Sequence, residues 1–158
     1  MGFYGTFTPR LDDKGRVTLP AAYRKQFADG AMVVRGDSNC LYVFTTDEFD
    51  RFAEQAVNTK VTDVQHIGAA RYMLANSEPQ MPDGQGRITL SARMRLFAGL
   101  GRDVVLTGQG RRMEIWNADR WSDYEAAQEP GYVDPSLRAT APIPAASGDD
   151  GTGGRSEP

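Results

Sequence analysis

Cysteine and histidine are nearly missing from this chain. Its 158 residues include one of each, Cys40 and His66. A lone cysteine excludes an intramolecular disulfide and suits a reducing compartment. One cysteine and one histidine also fall short of the three or four ligands a zinc centre takes. No catalytic partner set accompanies His66, which reads as a solvated or packed side chain. Long apolar runs are absent as well. Nothing approaches the ~20 residues of a membrane span. The opening Met1-Gly2-Phe3-Tyr4-Gly5 has no basic segment followed by an apolar stretch, so no signal peptide is expected. Gly99-x-Gly101 and Gly108-x-Gly110 continue into neither a dinucleotide motif nor a P-loop, and they read as a helix terminus and a hairpin turn. These absences argue against an enzyme, a metalloprotein or a membrane protein. No cofactor, metal or small-molecule ligand is expected.

An excess of positive charge is also lacking, since the formal net charge is -3. The distribution matters more than the sum. Residues 1–36 hold six Lys/Arg against three Asp/Glu, and residues 85–112 hold six against one. The remaining segments, 37–84 and 113–158, hold six against seventeen. A local basic patch attracts a polyanion even when the whole molecule is acidic.

The two basic segments share a motif. Asp12-Asp13-Lys14-Gly15-Arg16-Val17-Thr18-Leu19-Pro20 returns 71 residues later as Asp83-Gly84-Gln85-Gly86-Arg87-Ile88-Thr89-Leu90-Ser91. Ala21 and Arg24 recur at the same spacing as Ala92 and Arg95. The repetition dictates the architecture. In each copy a short helical stretch follows, 21–28 and 92–98. A strand, Met32-Val33-Val34-Arg35, is matched to Asp103-Val104-Val105-Leu106. Gly36-Asp37-Ser38-Asn39 and Gly108-Gln109-Gly110 supply turn chemistry. The returning strands are Leu41-Tyr42-Val43-Phe44 and, after a one-residue slip, Met113-Glu114-Ile115-Trp116. Each repeat closes on a helix entrance: Thr45 as N-cap with Glu48 completing a capping box and a Phe44–Phe49 staple, then Asn117 as N-cap with a Trp116–Trp121 staple. Asp47 and Asp119 fall in the first turns, where the helix dipole favours a carboxylate.

The resulting organisation is a first repeat over 1–56, a linking helix over 57–74, a second repeat over 75–129 and a disordered tail over 130–158. The linking helix is expected to start from a capping box at Thr62-Asp63-Val64-Gln65 and to run to about Leu74. The tail is rich in Pro, Gly, Ala, Ser and Asp and has almost no apolar periodicity.

The repeated loop suits a type I turn that starts on Asp12 or Asp83 and closes on a left-handed Gly15 or Gly86. Strand alternation then sends Val17, Leu19, Ile88 and Leu90 inward and Arg16, Thr18, Arg87 and Thr89 outward. Lys14 or Gln85 stands at the tip. Arg can take guanine and Gln adenine in bidentate fashion, while Thr and Lys can hold phosphate oxygens. The alternative is that Arg16 and Arg87 only pair with Asp12 and Asp83 across a hairpin.

The Tyr4-Gly5 lead-in, the Asp12-x-Lys14-Gly15-Arg16 loop with Leu19-Pro20-Ala21 and Arg24, and the Asp83-x-Gln85-Gly86-Arg87 loop resemble the MraZ family of the AbrB-like swapped-hairpin superfamily. The resemblance covers roughly residues 1–137. It departs at Ser91, where the motif usually has Pro, and at Gln85, which replaces the first copy's Lys. The resemblance implies an α+β, mainly β fold, with two AbrB-like swapped-hairpin repeats forming an intramolecular pseudo-dimer (a small β-barrel) with flanking helices. It implies a bacterial transcriptional repressor in the cytoplasm and nucleoid. Such a repressor forms a ring-shaped homo-oligomer and binds short direct repeats of double-stranded DNA before its own division and cell-wall gene cluster. The DNA-contacting residues implied are Lys14, Gly15, Arg16, Thr18, Gln85, Gly86, Arg87 and Thr89. An oligomeric protein-interaction scaffold without specific DNA binding is the alternative of a different class.

Overall fold

In the computed structural model, residues 2–58 and 64–137 are described. Of the described residues, those up to Asp123 make one compact unit and those from Tyr124 to Leu137 belong to a second.

Among the described residues, eight strands appear in chain order: β1 (Thr6–Phe7), β2 (Arg16–Thr18), β3 (Ala31–Arg35), β4 (Leu41–Thr45), β5 (Glu78–Gln80), β6 (Arg87–Thr89), β7 (Val104–Gly108) and β8 (Met113–Asn117). The helices are α1 (Thr46–Val57), α2 (Val64–Ala75), α3 (Ala92–Ala98) and α4 (Ala118–Val133), with a 3-10 helix at Ala21–Phe27. Among the described residues no helix is long and apolar enough to cross a membrane.

Six strands form one antiparallel sheet in the order β1-β7-β8-β4-β3-β5. Exchanging each strand for its copy in the other repeat returns the same order reversed. The sheet therefore has a pseudo-twofold axis between β4 and β8. The repeats exchange their leading strands: β1 pairs with β7 of the second repeat, and β5 with β3 of the first. This is the swapped-hairpin, pseudo-dimeric arrangement expected. The expected small β-barrel does not close, however. β1 and β5 are the two edges of an open sheet. Both edges are only two or three residues long, too short to offer a continuous ladder for closure.

Among the described residues, β2 and β6 lie outside this sheet and pair only with each other. Their ladder aligns Arg16 with Thr89, Val17 with Ile88, and Thr18 with Arg87. Neither strand is thus part of a local hairpin across its own turn. Val17, Leu19, Ile88 and Leu90 sit on the inner side at 0–1% exposure. They join Val33, Leu41, Val43, Leu106, Met113 and Ile115 in the main core. Burial of each such side chain contributes roughly 1.5–3 kcal/mol. The opposite sheet face is covered too. Phe44 packs on Phe49 and Phe52 of α1, and Trp116 on Trp121 of α4. This two-sided burial explains why β4 and β8 are buried at four of their five positions rather than at alternate ones.

The match of Met32–Arg35 to 103–106 is corrected by two residues. Ala31 and Val33 face the core in the first repeat, and Val104 and Leu106 in the second. Gly99 takes a left-handed conformation after α3, and Leu100 N–H returns to the Arg95 carbonyl. That Schellman-type ending adds residues before β7. The next turn is one residue shorter in the second repeat, between Gly108 and Met113 rather than Arg35 and Leu41, which restores the one-residue slip at β8.

Helix entrances follow the local chemistry. Thr45 Oγ1 accepts from Glu48 N–H at 3.3 Å. Asn117 Oδ1 accepts from Asp119 and Arg120 N–H at 2.9 and 3.1 Å. The return half of the first capping box is replaced, because Glu48 Oε1 takes Arg51 Nη1 at 2.8 Å. Ser91, the departure from Pro, caps α3 by accepting Met94 N–H at 3.2 Å. Pro20 lacks a side-chain acceptor, and the matching segment is 3-10 rather than α-helical. The proposed Thr62 cap lies outside the described residues. The tail was expected from residue 130, yet α4 continues through Pro130 to Val133 and a 3-10 turn follows at Pro135–Leu137. Asp134 holds that turn by accepting from Ser136 N–H and Oγ–H at 3.0 and 2.7 Å. Residues 138–158 of the expected tail lie outside the described residues.

Candidate nucleic-acid interface

Each repeated loop is a compact, self-bonded unit built on its first aspartate. Gly15 N–H donates to the Asp12 carbonyl at 3.0 Å, closing the turn, and Gly15 has φ +74°. Asp12 Oδ1 accepts from the backbone N–H of Lys14 at 2.9 Å and of Arg16 at 2.8 Å. Its other oxygen accepts from Arg16 Nε at 2.6 Å. The second loop repeats every bond. Gly86 N–H reaches the Asp83 carbonyl at 2.9 Å, and Gly86 has φ +73°. Asp83 Oδ1 takes the N–H groups of Gln85 and Arg87, each at 2.9 Å, and Oδ2 takes Arg87 Nε at 2.7 Å. The Arg backbone N–H, foremost, holds each aspartate carboxyl below the ordinary aspartate range; burial opposes it, and the Arg side chain and the Lys14 or Gln85 N–H add to the lowering.

The structural pairing of Arg16 with Asp12 and Arg87 with Asp83 is thus formed. It does not use up the guanidinium. Each carboxylate takes Nε and fixes the plane, and the two Nη groups remain for an outside acceptor. Charge-assisted bonds of this kind set orientation as well as energy. Arg16 and Arg87 are one-quarter to one-third exposed.

The β2/β6 ladder brings the two loops together. Arg16 stands opposite Thr89 and Arg87 opposite Thr18. All four lie on the side away from Val17 and Ile88, because alternate residues share a face. Arg16 and Arg87 are diagonal neighbours, which places them about 7–8 Å apart. Lys14 and Gln85 are exposed at the tips. Gly15 and Gly86, in contrast, are buried. Their carbonyls accept from Leu90 and Leu19 N–H, each at 2.8 Å, so each turn is bonded to the other repeat's strand.

Two residues outside the expected set belong to this face. Arg24 donates from Nε to the Leu19 carbonyl at 3.3 Å, and Arg95 to the Leu90 carbonyl at 3.2 Å. A Cβ built on Gly86 would stand 2.5 Å from Arg24 Nε, and one on Gly15 would stand 2.9 Å from Arg95 Nε. Their recurrence at the motif's own spacing was the visible signal. Which loop each would cover was not.

Other polar groups lie apart from this face. His66 Nε2 contacts the Ala56 carbonyl at 3.1 Å, between α1 and α2. Burial raises the Cys40 thiol well above its usual range. Arg112 turns onto Glu114 at 2.9 Å and stacks over the Tyr42 ring at 3.9 Å. Among the described residues no cluster of His, Cys, Asp and Glu is arranged to hold a metal ion.

The family described as "MraZ protein, putative antitoxin-like" matches residues 3–66 and 73–141. The chain is 45% identical over 131 residues to a protein of Saccharopolyspora erythraea named "Transcriptional regulator MraZ", covering 83% of this chain and 92% of that one. It is 44% identical over 132 residues to the protein of that name from Thermobifida fusca, covering 84% and 92%. It is 42% identical over 130 residues to the one from Micrococcus luteus, covering 82% and 91%.

Proposed function

The chain belongs to the MraZ family, and from that premise we propose that it regulates transcription by reading DNA with the β2/β6 ribbon. The relatives carry the names of regulators, not of enzymes. The observation that carries the DNA reading is the ladder pairing Arg16 with Thr89 and Thr18 with Arg87. It makes one two-stranded ribbon, with two arginines and two threonines on its outer face. A two-stranded ribbon fits the major groove, which is about 12 Å wide. The Nη edge of each arginine, oriented by Asp12 or Asp83, suits O6 and N7 of guanine. Lys14 at one tip suits phosphate, and Gln85 at the other suits adenine or phosphate. Gly15 and Gly86 contribute through the turn conformation that aims these side chains.

A single ribbon offers few contacts. Homo-oligomers, in a ring, would place several ribbons along DNA, and short direct repeats would match their spacing. Tethering raises the effective concentration of each further contact. In this reading the protein acts in the cytoplasm and nucleoid and represses its own division and cell-wall gene cluster. The working parts are repeats 1–56 and 75–129, joined by a linker over 57–74.

A mobility-shift assay on duplex DNA from upstream of the protein's own gene tests this. Arg16→Ala and Arg87→Ala should each weaken the shift, and the double variant should abolish it while the oligomer stays intact by light scattering. Undiminished affinity in the double variant would remove the site assignment. A well-folded oligomer with no preference for that DNA over random duplex would favour the protein-scaffold alternative.

A further inference from the structure

We infer that Arg24 and Arg95 are positioning residues that work crosswise, each holding the loop of the opposite repeat. The geometry of the contact carries this. Arg24 follows the first loop in sequence, yet its side chain lies over Gly86 of the second. The sites nearest a Cβ on Gly86 are Arg24 Nε at 2.5 Å, Cδ at 2.6 Å and Cγ at 3.1 Å. Arg95 lies over Gly15 of the first loop, with Nε at 2.9 Å and Cζ at 3.1 Å from the corresponding point. Both loop glycines are buried under these arginines.

Each arginine is itself tied to the junction between the repeats. Arg24 Nε bonds the Leu19 carbonyl, and Leu19 N–H bonds the Gly86 carbonyl. Arg95 Nε bonds the Leu90 carbonyl, and Leu90 N–H bonds the Gly15 carbonyl. The backbone of one leucine in each case, through its N–H and its C=O, thus joins an arginine of its own repeat to the turn of the other. The turn glycine sits directly before Arg16 or Arg87. Displacing it changes where the neighbouring guanidinium points, and a shift of about 1 Å is enough to spoil a positioned contact. The consequence is a reversal of sequence proximity: Arg24 governs Arg87, and Arg95 governs Arg16. Through the leucine backbones and the ladder, neither loop is set without the other repeat.

This inference rests on the DNA reading above for its functional meaning, but its geometry can be tested apart from it. Hydrogen exchange followed by mass spectrometry on the full chain should show faster exchange over residues 83–88 in Arg24→Ala, by several-fold, with residues 12–17 unchanged. Arg95→Ala should do the reverse. Acceleration confined to the same repeat, or spread equally over both loops, overturns the crosswise assignment. Arg24→Lys keeps the charge and loses the guanidinium plane. It should exchange like the alanine variant, whereas wild-type exchange would show that charge alone matters. On upstream duplex DNA, loss of affinity from Arg24→Ala should shrink when Arg87 is already alanine and persist when Arg16 is. Coupling to Arg16 instead overturns the proposal. If the wild-type protein does not bind that DNA, the DNA reading fails, and the exchange pattern still decides the clamp.

Discussion

Tyr42 and Glu114 occupy the same position in the two repeats and stand directly opposite each other where β4 meets β8. The pseudo-twofold axis passes through this pair, as it passes through Val17 and Ile88 in the outer ladder. Identical residues there would crowd like against like. Two glutamates would bring two buried carboxylates together, at a large desolvation and repulsion cost. The tyrosine–glutamate pairing avoids this. Glu114 accepts from Arg112 through Nε and Nη2 at 3.1 and 2.9 Å and from Trp116 Nε1 at 3.2 Å. Arg112 then lies over the Tyr42 ring, whose hydroxyl accepts Asp37 N–H at 3.1 Å.

Glu114→Ala should therefore destabilise the fold by about 1–3 kcal/mol, since it removes the carboxylate that accepts from the Trp116 indole N–H and from the partly covered Arg112. Chemical denaturation followed by tryptophan fluorescence measures it. A change under ~0.5 kcal/mol, typical of an open surface site, would show that the cluster at the axis contributes little.

The outer ladder depends on its central apolar pair. Ile88→Val should cost about 0.5–1.5 kcal/mol and Ile88→Ala about 2–5 kcal/mol. Ile88 is fully buried, and its ladder partner Val17 belongs to the other repeat. Thermal melting of the two variants should rank them in that order, and equal melting temperatures would contradict the packing.

Glycines of the second loop should separate sharply. Gly86→Ala places a Cβ against Arg24 at φ +73°. Backbone strain of that kind costs of order 1–3 kcal/mol. Gly84, two residues earlier, has open space around its Cβ position, and Gly84→Ala should stay within about 0.5 kcal/mol of wild type. Comparable denaturation midpoints for the two variants would refute the turn assignment.

The loop aspartates set a pH dependence. The carboxyls of Asp12 and Asp83 are held below the ordinary aspartate value of 3.8. A depressed carboxylate stabilises the fold in its ionised form. Its contribution is present above 3.8 and is lost as pH falls through the depressed value. Loop geometry should thus be unchanged from pH 7 to pH 5. Carboxyl carbon NMR should find both aspartates titrating below 3.8, and a midpoint at or above it would contradict the bonding described.

Removal of the α1 cap gives a local control. Thr45→Ala loses the acceptor for Glu48 N–H and should cost about 1 kcal/mol. The Phe44 and Phe49 rings, 6.0 Å apart, would still staple the entrance. Affinity for upstream DNA should stay at the wild-type value, since the cap is not part of the ribbon. A parallel loss of binding would place α1 in the interface.

Much of this molecule was legible residue by residue. The sequence by itself determined the repeat and both turn closures on Gly15 and Gly86. It determined the inward set Val17, Leu19, Ile88 and Leu90, the caps at Thr45 and Asn117, and the two aromatic staples. Each of these is decided within a few residues, by backbone sterics, alternation or a side chain reaching its neighbouring N–H. Tertiary structure alone decided that β2 pairs with β6 rather than across its own turn, and that the sheet stays open instead of closing. It also decided the two-residue shift between β3 and β7, and that Arg24 covers the opposite loop. Those outcomes depend on connection lengths and on burying both repeats in one core. That is a balance over the whole chain, and no single stretch of sequence contains it.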